Sequence, residues 1–245
     1  MDPKTVEMQN EQIFRQLVPL LQQELDDDLL GILAGGSRIY GKPGRTSDLD
    51  VHVLIASSRH CRRTVIMQGI EVEQFMHPPA QVRKNFMDDV AIRPLFAQGK
   101  SLYDPHGVIA ELQAEAKVLW AQGPYPIVTK EIWRHRFVPS ARLRDLEDIP
   151  ETDEATLALV IVEVCNQLLE THYQLHQCWK PKAKRVLNNL VQWDAHAEQL
   201  ARTALSLRPL AERRAAIITL AEHVLAPLGG LMPIEWSNPW EELTM

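Results

Sequence analysis

Apolar residues at Ile13, Leu17, Leu20, Leu21 and Leu25 recur every three to four positions, which predicts an amphipathic helix over residues 9–28. Asp26, Asp27 and Asp28 break that pattern at the helix end where the backbone dipole disfavours acids, so the triplet belongs in the turn beyond it. The period then changes. Leu29 to Leu33 reads as a short buried strand, and Gly35 with Gly36 supplies a tight turn. Asp48 to Ile55 alternates as a strand should. Residues 64–68 and 70–76 flank Gly69 as two paired strands. Residues 81–92 read as a helix that Pro94 ends or kinks, and Leu102 with Tyr103 as one more short strand. Asp104 and Pro105 can cap a helix running to about residue 122.

After the GPYP run at residues 123–126 the strand signals stop. Helical patterns cover residues 130–146, interrupted at Pro139, then 154–179, 182–193, 194–207 and 209–225. Pro150, Pro181, Pro209 and Pro227 punctuate them. The expected fold class is α+β: a small mixed β-sheet flanked by helices over residues 1–123, followed by an all-α helical bundle over residues 127–245.

Composition narrows the partners. Among 245 residues, 32 acids against 26 bases leave a net charge of −6, which argues against a nucleic-acid-binding face. Cys61, Cys165 and Cys178 form no CxxC pair and are odd in number, as expected of a reducing cytoplasm. The sequence shows no secretory signal, and its most apolar run, 157–165, is short and holds Glu163, so no membrane partner is expected.

The chemistry concentrates in ILAGGSRIYGKPGRTSDLDVHVLI, residues 32–55. Asp48 and Asp50 stand two positions apart on a strand-like run and therefore share a face, where two like charges call for a cation such as magnesium. GSRIYGK, residues 36–42, matches most of a P-loop, but Pro43 stands where a P-loop needs a magnesium-binding hydroxyl. A Gly36–Ser37 turn followed by Asp-x-Asp eleven residues after the serine gives another reading. The glycine lets backbone approach phosphate oxygens, and the serine hydroxyl and free amides can bind them.

At Gly36, Ser37, Asp48 and Asp50, with apolar flanks on both motifs, the chain resembles the nucleotidyltransferase superfamily with the polymerase-β-like fold. WKPKAKR, residues 179–185, together with Tyr103-Asp104-Pro105, the PLGG run ending at Gly230 and Trp236, looks like bacterial aminoglycoside-nucleotidyltransferase-like proteins with a C-terminal helical domain. The resemblance implies a catalytic domain over 1–123 with two Mg2+ ions, roughly 4 Å apart, on Asp48 and Asp50. It also implies a third carboxylate on a later strand. IEVEQF, residues 70–75, offers Glu73 and Glu71, of which Glu73 is preferred as metal ligand or general base. Ser37 and Ser47 would bind the triphosphate, assisted by Lys182 or Lys184, two lysines that do not share a helix face. ATP would be the donor, a small-molecule hydroxyl the acceptor, and a homodimer is compatible. The alternatives are an antitoxin-like enzyme that nucleotidylates a protein and a non-catalytic nucleotide-binding module. No acceptor-binding residue can be matched, so antibiotic modification is not implied.

Two further patterns are read as structural. His172 and His176 stand four apart on a helix, but Tyr173 replaces the glutamate of a zincin and no third ligand is evident in sequence. The tryptophans at 120, 133, 179 and 193 fit helix packing, and no R-x4-6-H nuclease pattern follows Gly123.

Overall fold

The structure is a computed structural model that describes residues 2–40, 43–88, 92–238 and 240. The chain divides into two compact units, Met1–Gln122 and Gly123–Met245. In the first, strands β1 (Leu29–Gly35), β2 (Leu49–Ile55), β3 (Cys61–Met67), β4 (Ile70–His77) and β5 (Lys100–Tyr103) form a sheet ordered β3-β4-β2-β1-β5. Only β2 and β4 pair in parallel; the chain runs from β2 to the outer strand β3 and returns as β4 between them. The return is a two-residue hairpin at Gln68 and Gly69, both with positive φ (50° and 72°), a backbone suited to the twist of paired strands.

Strands β1 and β2 are buried at six of their seven positions, because helices cover both sheet faces. Helix α1 (Pro3–Leu25) packs Ile13, Phe14, Leu17 and Leu21 on one face against Ile32, Ala34, Val51, Val53 and Val72. Helices α2 (Pro79–Asp88), α3 (Ile92–Gln98) and α4 (Val108–Ala121) cover the other, where Val82, Phe86, Phe96, Ile109 and Leu112 meet Leu33 and Leu54. Of the helix expected over 81–92, α2 covers residues 81–88, and Ile92 is the first residue of α3. Pro94 lies in the first turn of α3, where a missing N–H costs little. Residues 89–91 of that expectation, like Gly41 and Lys42 of the GSRIYGK run, lie outside the described residues.

Among its described residues the second unit is helical: α5 (Ile132–Asp148), α6 (Glu154–Leu175), α7 (Ala183–Leu190), α8 (Ala195–Leu205) and α9 (Leu210–Leu225), with short 3-10 turns beside them. Helix α6 buries Leu157, Ile161, Val164 and Leu168, an i, i+4, i+7, i+11 stripe. It shares one core with Ala197, Ala201 and Ala204 of α8 and Ile217, Leu220 and Val224 of α9. Helix α5 runs through Pro139 rather than breaking there, and Ser140 Oγ donates to the Arg136 carbonyl at 2.7 Å beside it. Helix α6 stops at Leu175, short of 179, because Gln177 takes a left-handed φ of 55° and the Cys178 N–H turns back to the Tyr173 carbonyl. No helix among the described residues is long and apolar enough to cross a membrane.

Candidate active site

Strand register explains why residues far apart in sequence meet. Gly35 at the end of β1 pairs with Asp50 at the start of β2, so the Gly-Ser turn emerges beside the aspartates. On the other side of β2, Asp50 is the register partner of Glu73 on β4. Parallel neighbours in register present side chains on the same face at about the interstrand spacing of 4.8 Å. Asp48, Asp50 and Glu73 place carboxylate oxygens within 4.8 Å of one another, all three half-buried. Glu71 is exposed on β4 and takes no part in this cluster.

Three carboxylates this close repel one another, and the protein already answers one of them with a cation. Arg62 on β3 donates through Nη2 to both oxygens of Glu73, at 2.9 and 3.1 Å, with its guanidinium 4.9 Å from the Phe75 ring centroid. Its side chain is 64% exposed against 18% for Glu73, so this is a solvent-screened pair rather than a buried lock. Arg62 was not anticipated from sequence. Counting outward from the Gln68-Gly69 turn places it opposite Phe75 and diagonal to Glu73, a signal that was legible.

The Gly-Ser turn is built against the acids. Gly36 has φ of 79°, where a side chain is strained, and a Cβ there would meet Asp50 Oδ2, so that carboxylate would have to shift. Ser37 Oγ donates to Ser47 Oγ at 2.9 Å, and Ser47 Oγ accepts the Gly44 N–H at 2.8 Å. The two serines predicted to bind phosphate are therefore neighbours, ten residues apart in sequence.

Residues that sequence reasoning passed over hold the loop. Arg38 is buried and donates from Nε to Asn10 and from Nη2 to Gln9, both at 3.0 Å, while Asn10 returns a bond to the Arg38 carbonyl. Burial among neutral amides lowers its pKa. The Tyr40 hydroxyl bonds the Pro94 and Leu95 carbonyls at 3.3 Å, and burial pushes its pKa up to about 12. Along the same sheet face as Asp50 and Glu73 lie His52 and His77, with Nδ1 and Nε2 3.1 Å apart and His52 stacked on Phe75 at 5.0 Å. Burial pushes their pKa values down to about 3 and about 4, aided by His77 and His60 respectively, so both rings are neutral near pH 7.

Lys182 and Lys184 belong to the second unit, Lys182 as the residue ahead of α7 and Lys184 within its first turn. A cavity of about 660 Å3 lies on the α1 side of the sheet, lined by Leu17, Leu20, Arg63 and Ile66, and does not border the carboxylates.

No family model and no curated protein matches the chain. Among solved structures it is similar to a nucleotidyltransferase-like protein from Exiguobacterium sibiricum 255-15, with a TM-score of 0.51 over 89% of this chain and 74% of that one, at 11% identity. The likeness is one of fold: this chain has a nucleotidyltransferase-like α+β architecture, a mixed five-stranded sheet with flanking helices and a helical C-terminal region.

Proposed function

We propose that the protein is a Mg2+-dependent nucleotidyltransferase that moves AMP from ATP onto a hydroxyl of a small molecule and releases pyrophosphate. The observation that carries this reading is the convergence of Asp48, Asp50 and Glu73 at the foot of the Gly36–Ser37 turn. The trio is an all-oxygen carboxylate donor set, which suits Mg2+, and Arg62 already supplies a positive charge to one member. Asp48 and Asp50 would be the principal ligands and Glu73 a shared one. When bound, Mg2+ supplies Lewis-acid stabilisation of the charge that develops on the phosphoryl oxygens.

The chain's own groups do the remainder. Ser37 and Ser47, with the amides of their turn, bind the triphosphate and hold the α-phosphorus in line with the acceptor. Glu73 is on the neighbouring strand and can take the acceptor proton as that oxygen bonds to phosphorus and the bridging P–O bond to pyrophosphate breaks. Arg62, exposed and hinged on Phe75, would have to release Glu73 for this. Lys182 or Lys184 is assigned to the triphosphate by resemblance to helical-domain lysines of the aminoglycoside-modifying group.

Incubation with α-labelled ATP, Mg2+ and a panel of polyhydroxylated and cationic small molecules tests the proposal. Label on a small molecule with stoichiometric pyrophosphate is expected. Label only on a protein band would replace it with protein nucleotidylation. Nucleotide binding without turnover, unchanged in Asp50→Ala, would replace it with a non-catalytic module.

A further inference from the structure

The second unit contains a cluster for which the transferase reading has no use. His172 on α6, His223 on α9 and Asp194 immediately before α8 bring their donor atoms within 4.8 Å of one another. His172 Nε2 and His223 Nε2 each lie 2.8 Å from the same oxygen, Asp194 Oδ2. Asp194 Oδ1 is occupied separately, accepting the Ala197 N–H at 2.9 Å as the cap of α8. The aspartate thus presents one oxygen, fixed by the cap, to two imidazoles from two other helices.

We infer that this trio is a divalent transition-metal site, with Zn2+ the best-fitting cation and His172 Nε2, His223 Nε2 and Asp194 Oδ2 as ligands. The donor set makes the argument: two imidazole nitrogens and one carboxylate oxygen suit zinc, whereas Mg2+ and Ca2+ favour oxygen alone. The first ligand is held in place, since His172 is 4% exposed and stacks on Trp193 at 5.0 Å and 22°. His223, at 35% exposure, gives the cluster access to solvent. His196 has its ring 5.2 Å from that of His223, edge to face.

With both Nε2 atoms donating to one carboxylate oxygen, the imidazoles carry their hydrogen on Nε2; binding an ion there moves each hydrogen to Nδ1, which on His172 is buried with no protein partner. A tetrahedral ion with bonds of about 2.0–2.2 Å needs its donors about 3.3 Å apart. The 2.8 Å separations would therefore open by about half an ångström, a shift the partly exposed His223 can make. The ion would join α6, α8 and α9 at the point where Asp194 already links them by hydrogen bonds.

The test uses the full chain after chelator treatment. Calorimetry with ZnCl2 should give one tight site per chain, and Tm should rise by about 5 °C or more at a hundredfold excess over the dissociation constant. Co2+ should give the visible ligand-field spectrum of a tetrahedral nitrogen/oxygen site. His223→Gln should abolish both signals. Asp194→Asn retains an oxygen for the α8 cap but removes the anionic ligand, and should weaken Zn2+ at least tenfold. Asp50→Ala should leave the Co2+ spectrum intact. Absence of Zn2+ binding by the wild type, or Zn2+ binding by His223→Gln as tight as wild type, would overturn the assignment. If neither cluster variant folds, the wild-type Co2+ spectrum decides alone: an octahedral, oxygen-type spectrum refutes the site.

Discussion

Replacing Gly36 with alanine adds one methyl group at the turn beside the carboxylates. The backbone there has φ of 79°, a left-handed conformation costing a non-glycine residue about 1–2 kcal/mol. The new Cβ would also overlap Asp50 Oδ2, so the carboxylate or the turn must move. Stability should fall by about 1–2 kcal/mol, lowering the urea midpoint by roughly 0.5–1 M at a slope of about 2 kcal/mol/M. The catalytic loss should be larger, because a displacement of about 1 Å at a reacting group costs about 100-fold, or about 2.7 kcal/mol of transition-state stabilisation. Paired urea titrations and pyrophosphate-release rates for wild type and Gly36→Ala measure the two losses separately. Wild-type turnover in a folded Gly36→Ala protein would refute the placement of Asp50 in the reaction.

Glu73→Gln should reduce turnover at least about 100-fold, whereas Glu71→Gln, exposed on the same strand, should stay within about twofold; initial rates at saturating Mg·ATP check both. Arg62→Ala should cost less than about 1 kcal/mol of stability in a thermal melt, since the pair is largely solvated, and should lower the Mg2+ concentration needed for half-maximal rate. The loss of a single charge-assisted contact in Lys182→Ala or Lys184→Ala should raise the KM for ATP about tenfold to a hundredfold in one variant and little in the other. His52 and His77 have folded pKa values pushed down to about 3 and about 4, so the unfolded chain binds protons that the folded chain does not as pH falls below about 6.5. Their contribution to stability is present above pH 6.5 and lost on acidification, by about 2 kcal/mol per histidine between pH 6.5 and 5. Urea titrations at those two pH values should show the drop, and His52→Phe should lessen it.

The parts of the site visible in sequence were those fixed by local rules. The Gly36–Ser37 turn, the shared face of Asp48 and Asp50, and the strand at β2 follow from glycine geometry and the two-residue strand repeat. The β3–β4 hairpin was equally open to reading, because Gly69 fixes its register, though Arg62 went unnoticed beside Glu73. Parallel pairing of β2 with β4 is set by no local signal, and the choice between Glu71 and Glu73 turned on it. The His172 cluster was hidden for the same reason. Sequence offered His176 as the neighbour at helical spacing, yet His176 Nδ1 bonds the His172 carbonyl, and the true companions come from 22 and 51 residues downstream. Proline misled twice, since Pro94 opens a helix and Pro139 sits inside one.

Whether Asp48, Asp50 and the Gly-Ser turn form a magnesium-dependent seat for a nucleoside triphosphate can be tested without knowing the acceptor. Isothermal titration of a non-cleavable α,β-methylene ATP analogue into the wild type and Asp50→Ala, each with Mg2+ and with EDTA, measures it directly. The wild type with Mg2+ should bind the analogue saturably, and the substitution or chelation should weaken that binding at least about tenfold. Equal binding in all four titrations, or none in any, would contradict it.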